Sequence, residues 1–222
     1  MTDTTKRVLV VDDDPIVVTG ISEILRSASD IEVVGTCSDG DQLPDAIARL
    51  HPDVILCDVR MSRMDGITAL TKFKDSGPPF LMITAFDDGD AVLKAIAAGA
   101  AGFVLKGEEP ERIKDAVRHV HAGEATLSPR AAKYLTDWAQ ATMTDQVRSD
   151  AQARVAELTE REREYAVQVL DGSTDAQIAA RLFVAETTVK STLLSVRTKL
   201  GARNRIHLAA TLAYAGVVHH HP

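Results

Sequence analysis

Asp12, Asp13 and Asp14 close one apolar run, and Asp58 closes another; Thr84 and Lys106 stand at the ends of two more. Grouped carboxylates hold divalent cations, and Mg²⁺ keeps several waters, so one or two protein carboxylates suffice. With such a cation beside it, a carboxylate can accept a phosphoryl group, because the metal neutralises both reacting partners. An ammonium and a hydroxyl then stabilise the charge on the transferred group. This chemistry makes Asp58 the expected phosphoacceptor, Asp12, Asp13, Asp58 and the backbone carbonyl of Arg60 the expected Mg²⁺ ligands, and Lys106 and Thr84 the expected phosphoryl partners. Taken singly, each has a plainer reading: a turn or N-cap aspartate, a surface lysine, a β-branched strand residue.

The elements that would position these groups follow from periodicity. Strand-length apolar runs occur at 7–11, 32–36, 54–58, 80–84 and 102–105, with helix-period segments between them. In the first helix, Val17, Gly20, Ile21, Ile24 and Leu25 repeat at i, i+3, i+4, i+7 and i+8. Continuous apolar strands separated by helices predict a parallel sheet covered on both faces, a doubly wound (βα)5 domain of the flavodoxin-like kind. Ligands of such sheets bind at the carboxyl ends of the strands, where strand order reverses. Asp12, Asp58, Thr84 and Lys106 all fall on that edge.

The second half is predicted to be all-α. Thr159 with Glu162, and Thr174 with Gln177, have capping-box spacing, and Gly172 and Gly201 mark helix ends. In the helix from Glu186 to Leu200, Val189, Leu193, Val196 and Leu200 are spaced 4, 3, 4 and face the core. The opposite face carries Thr187, Ser191, Leu194 and Thr198 with Lys190 at its margin. Hydroxyls and a lysine suit the major groove, and Leu194 suits a thymine methyl or another protein surface. Between the halves, a helix start at Ser128–Pro129 is followed by polar, aperiodic sequence over 141–149, read as a helical extension and flexible linker. The division is therefore 1–124, 125–156 and 157–222.

Charge divides the same way. The net charge is -7, yet residues 1–126 hold 22 acidic and 13 basic residues, while 157–222 hold seven and eight. From Lys190 to Arg205 there are five basic residues (Lys190, Arg197, Lys199, Arg203, Arg205) and no acid, pointing to a polyanion partner for the rear half. The two cysteines, Cys37 and Cys57, fall in strands and read as core packing. No run is long enough for a membrane span and no secretory signal is visible, so a cytoplasmic protein is expected. The terminal His219-His220-His221 reads as a tail, with metal binding the lesser alternative.

Together, Asp12-Asp13, Ile55-Leu56-Cys57-Asp58-Val59-Arg60-Met61, Asp65-Gly66, Thr84-Ala85 and Lys106 resemble the receiver domain of two-component response regulators. Leu158-Thr159, Arg161-Glu162, Ile178-Ala179, Leu182, Thr188-Val189-Lys190 and Lys199-Leu200-Gly201 resemble the LuxR-type helix-turn-helix domain, so the whole chain looks like a NarL/LuxR-family regulator. The resemblance implies phosphorylation of Asp58 by a sensor histidine kinase, Mg²⁺ on Asp12 and Asp13, a switch formed by Thr84 and the aromatic Phe103, double-stranded DNA as partner, and a homodimer on phosphorylation. It implies base contacts from Lys190, Ser191 and Leu194 and phosphate contacts from Arg197 and Lys199. Such a protein is not an enzyme beyond its own phosphoryl transfer and dephosphorylation.

Departures from the pattern are Ser62 and Gly107 in place of common prolines, Ala185 in place of a capping serine, and Thr192 in place of a frequent histidine. Gly107 implies a more mobile loop after the fifth strand. Arg60 and Phe86, flanking the path of a hydrolytic water, imply slow self-dephosphorylation. Two other readings remain: an aspartyl-phosphate phosphohydrolase or phosphotransferase, disfavoured by Arg60 where a second acid would stand, and a DNA-binding protein indifferent to phosphorylation.

Overall fold

A computed structural model describes residues 5–74, 77–85, 89–124, 126–127, 145–202 and 204–217. The helix start at 128–129, Phe86, Arg203 and the terminal histidines lie outside them. The chain divides into two compact units, Met1–Thr126 and Leu127–Pro222.

The first unit alternates β1 (Lys6–Val11), α1 (Pro15–Arg26), β2 (Ile31–Cys37), α2 (Leu43–Leu50), β3 (Val54–Asp58), α3 (Gly66–Phe73), β4 (Phe80–Thr84), α4 (Gly89–Ala98), β5 (Gly102–Leu105) and α5 (Pro110–His121). Its strands run in the order β2-β1-β3-β4-β5, all neighbours parallel, with a two-residue strand β6 (Thr126–Leu127) beyond β5. Every residue of β3, β4 and β5 is buried, as a sheet covered on both faces requires. One apolar layer joins Val8, Val10, Leu56, Ile83 and Val104 of the sheet to Ile21 and Leu25 of α1 and Ile113 and Val117 of α5. The order reverses at β1, flanked by β2 and β3, so the ends of β1 and β3 form the crevice.

Two chain reversals at that edge depend on glycine. Gly66, the first residue of α3, sits so close to β3 that a Cβ there would lie 2.0 Å from the Asp58 carbonyl oxygen and 2.9 Å from Met82 Cε. Its N–H donates to Val59 O at 3.0 Å, and Asp65 caps the helix through the Thr68 N–H at 2.7 Å. Gly40, after β2, would place a Cβ 2.6 Å from Met64 O.

The second unit contains α6 (Asp145–Ala156), α7 (Glu160–Leu170), α8 (Asp175–Leu182), α9 (Glu186–Leu200) and α10 (Arg205–Tyr214). Both predicted capping boxes form, at Thr159/Glu162 and Thr174/Gln177. Val189, Leu193, Val196 and Leu200 are buried, as the spacing requires. Residues 145–149, expected to lie in a linker, belong instead to α6. That helix buries only Ala151 and Val155, packs against α10, and is tied by Gln152 to the Ala215 carbonyl at 3.3 Å. Its apolar stripe is too thin to register in sequence.

The Asp58 carbonyl contact makes Gly66 intolerant of a side chain. Gly66→Ala is expected to destabilise the first unit by ~2 kcal/mol through overpacking against backbone, read as an earlier unfolding transition in urea. Unchanged stability would show that the β3–α3 approach is loose.

Candidate phosphoacceptor site and nucleic-acid interface

Asp12 follows β1 directly, Asp58 ends β3, Thr84 ends β4 and Lys106 follows β5. In-register pairing of Asp58 with Ile83 and of Thr84 with Leu105 brings these ends level. Asp12 is 2% exposed, and Asp58 and Thr84 are each 5% exposed. The Lys106 ammonium bridges the buried carboxylates, 2.7 Å from Asp12 Oδ2 and 3.1 Å from Asp58 Oδ1. The Lys106 N–H donates to Thr84 O at 2.8 Å, fixing the start of the turn that carries the ammonium. The Arg60 N–H donates to Asp58 Oδ2 at 3.2 Å, and the Asp14 N–H to Asp12 Oδ1 at 3.0 Å.

Carboxylate oxygens of Asp12, Asp13 and Asp58 lie within 4.8 Å of one another. At that spacing two ionised carboxylates repel by roughly 3–4 kcal/mol at an effective dielectric of about 20. One ammonium cannot neutralise three carboxylates. Burial pushes the Asp58 pKa up from 3.8 to about 6, with Lys106 opposing the shift and Asp12 adding to it. Burial also works against the charged Lys106, but the adjacent Asp12 and Asp58 carboxylates outweigh it and raise its pKa. Asp12 Oδ2 is buried and meets Lys106 as an ion pair without a donor in good hydrogen-bonding geometry. An under-satisfied buried oxygen beside two further carboxylates fits a hard divalent cation. Phe103 is fully buried, opposite Met82 on β4. Cys57 is fully buried, and burial, with Asp58 and Asp12 adding to it, pushes its thiol well above the usual range.

Sequence reasoning missed Asp39, which follows β2 on the same edge. Its buried carboxylate accepts from the Arg63 and Met64 N–H groups, both at 2.9 Å, and from Asp41 N–H at 3.3 Å. Burial raises its pKa, but these three donors reverse the effect and leave it lowered. Asp39 thus pins the loop after β3. The available signal was its place: another aspartate at a strand end, followed by glycine.

In the second unit, Thr187, Lys190, Ser191, Leu194 and Thr198 are exposed on α9, Leu194 to 60%, and Arg197 is half-buried. The Ser191 and Thr198 hydroxyls bond back to the Thr188 and Leu194 carbonyls, at 3.0 and 2.9 Å. Ala185 provides no side-chain cap. Lys199 and Arg205 of the predicted stripe make ion pairs within the fold. Lys199, expected on a phosphate, meets Glu162 Oε2 at 2.7 Å, and Arg205 meets Asp175 and the Ser173 carbonyl, each at 2.5 Å. Glu162 also accepts from Ser195 Oγ at 3.1 Å. Lys199, then the Thr159 N–H, hold its pKa down at about 2.

Residues 8–118 match the response regulator receiver domain, and residues 156–212 match the bacterial regulatory proteins of the luxR family. The transcriptional regulatory protein LiaR of Bacillus subtilis is 33% identical over 205 residues, covering 91% of this chain and 94% of LiaR. The response regulator protein VraR of Staphylococcus aureus is 35% identical over 207 residues, covering 90% and 93%. The crystal structure of ChrA, response regulator of a heme-sensing two-component system, aligns with a TM-score of 0.56 at 32% identity, covering 94% and 96%. Fold and site define a response regulator, in which a receiver is joined to an output that acts on DNA. The chain belongs to the NarL/LuxR family of these transcription regulators. No helix among the described residues is long and apolar enough to cross a membrane.

The raised Asp58 pKa has a defined sign. The folded chain holds a proton that the unfolded chain releases between about pH 4 and 6, so the penalty for the buried charge is absent below that window and complete above it. Asp58→Asn is therefore expected to raise the melting temperature in EDTA at pH 7.5 by about 5 °C. The gain should fade toward pH 4.5 and shrink when Mg²⁺ is restored. A gain that does not vary with pH would assign the effect elsewhere.

Proposed function

We propose that this chain is a phosphorylation-gated transcription factor in which residues 1–124 receive a phosphoryl group and 157–222, with α6 packed against them, bind double-stranded DNA. The observation behind this reading is the convergence of Asp12, Asp58, Thr84 and Lys106 on one sheet edge, in a chain whose other unit exposes a hydroxyl- and lysine-bearing helix face. Asp58 attacks the phosphorus of a phosphohistidine on a sensor kinase. An O–P bond forms at the carboxylate, the P–N bond breaks, and the imidazole leaves. Asp12, Asp13, Asp58 and the Arg60 carbonyl would hold Mg²⁺, which would supply positive charge to offset the carboxylate and the incoming group. Lys106 turns its ammonium from the carboxylates to a phosphoryl oxygen, and the Thr84 hydroxyl donates to another. Phe103 follows the movement of Thr84.

This local change favours a homodimer, and two DNA-binding units on one duplex multiply a weak single-unit affinity. On each α9, Lys190, Ser191 and Leu194 read base edges while Thr187, Arg197 and Thr198 position the helix. Lys199 acts through Glu162, bracing α9 against the start of α7. The protein works in the cytoplasm, with access to both kinase and DNA.

Incubation of the full chain with acetyl phosphate and Mg²⁺ should place one base-labile phosphoryl group on Asp58 and tighten binding to its operator. Asp58→Ala should take up none and show no tightening. Equal labelling of Asp58→Ala, or affinity indifferent to labelling, would contradict the proposal. Lys190→Ala should cost ~1–3 kcal/mol of operator affinity and relax discrimination at one base position. A uniform loss on all sequences would make Lys190 a phosphate contact.

A further inference from the structure

Asp12 and Asp58 are buried and held by Lys106, whereas Asp13 is exposed. What orients Asp13 comes from the loop after β3: Ser62 Oγ donates to Asp13 Oδ2 at 2.9 Å. The loop that presents this hydroxyl is not slack. The next two residues, Arg63 and Met64, donate their N–H groups to the buried Asp39 carboxylate at 2.9 Å each. Gly40 N–H also reaches the Met64 carbonyl at 3.3 Å. Ser62 is thus a donor fixed at the rim of the acidic cluster, 49 residues along the chain from the carboxylate it holds.

An exposed aspartate samples several rotamers, and a metal must select one of them, at a cost in side-chain entropy. A neighbour that selects the rotamer beforehand removes that cost from binding, as groups behind metal ligands commonly do. We infer that Ser62 is a positioning residue for the divalent cation: its hydroxyl engages Oδ2 of Asp13 and presents Oδ1 to the cation shared with Asp12 and Asp58. This rests on the reading of those three aspartates as the Mg²⁺ site. It adds that the affinity of the site is set partly by a side chain that never touches the metal. Ser62 is exposed, so its truncation opens no cavity in the core.

The test uses Mn²⁺ as the probe, titrated into the full-length protein, with free Mn²⁺ read from its EPR amplitude. Ser62→Ala is expected to weaken binding about tenfold. Ser62→Thr, which keeps the hydroxyl, should match the parent. In an Asp13→Asn background, Ser62→Ala should have no further effect. Binding by Ser62→Ala within twofold of the parent, or an equal loss in the Asp13→Asn background, would overturn the inference while leaving the metal site standing. Parent-like binding by Asp13→Asn alone would instead remove Asp13 from the site, and the role of Ser62 with it.

Discussion

The Lys106 ammonium between Asp12 and Asp58 is the interaction on which the rest of the first unit depends. Two acids buried within 4.8 Å of each other are tolerated only beside a compensating charge, and one lysine compensates incompletely. The parallel sheet makes the arrangement possible, because its strands end at the same edge while the bodies of β3, β4 and β5 are buried throughout. Gly66 lets α3 start against the backbone of Asp58, and Asp39 secures the loop between them. The fold thus spends its precision on a site that carries an excess of negative charge. That excess of carboxylate fits a hard divalent cation.

The second unit has a comparable organising group in Glu162. It closes the capping box of α7 and also receives Lys199 and Ser195 from α9. One carboxylate thereby fixes where the outer face of α9 stands relative to the preceding helices. Lys199 and Arg205, both in the basic stripe read from sequence, also make ion pairs within the fold.

Local periodicity made much of this legible in sequence. The five strands, their chemically equipped ends, the 4, 3, 4 spacing of the buried face of α9 and both capping boxes depend on neighbours a few residues apart. What escaped depends on distant pairs: Ser62 with Asp13, Asp39 with the loop at 63–64, and Lys199 with Glu162 are brought together only by the finished fold. The helix α6 escaped for a different reason. Its two buried residues, Ala151 and Val155, give almost no amphipathic signal, and its packing comes from the helices that follow.

The central claim is that the acidic cluster is a cation site held in readiness by Lys106. Anomalous diffraction from crystals of the protein grown with Mn²⁺ tests it most directly. The account predicts a single peak in the first unit, within the cluster of Asp12, Asp13 and Asp58 carboxylates, with the Lys106 ammonium displaced from Asp12. A cluster without a peak under saturating Mn²⁺, or a metal bound while Lys106 still bridges both aspartates, would contradict it.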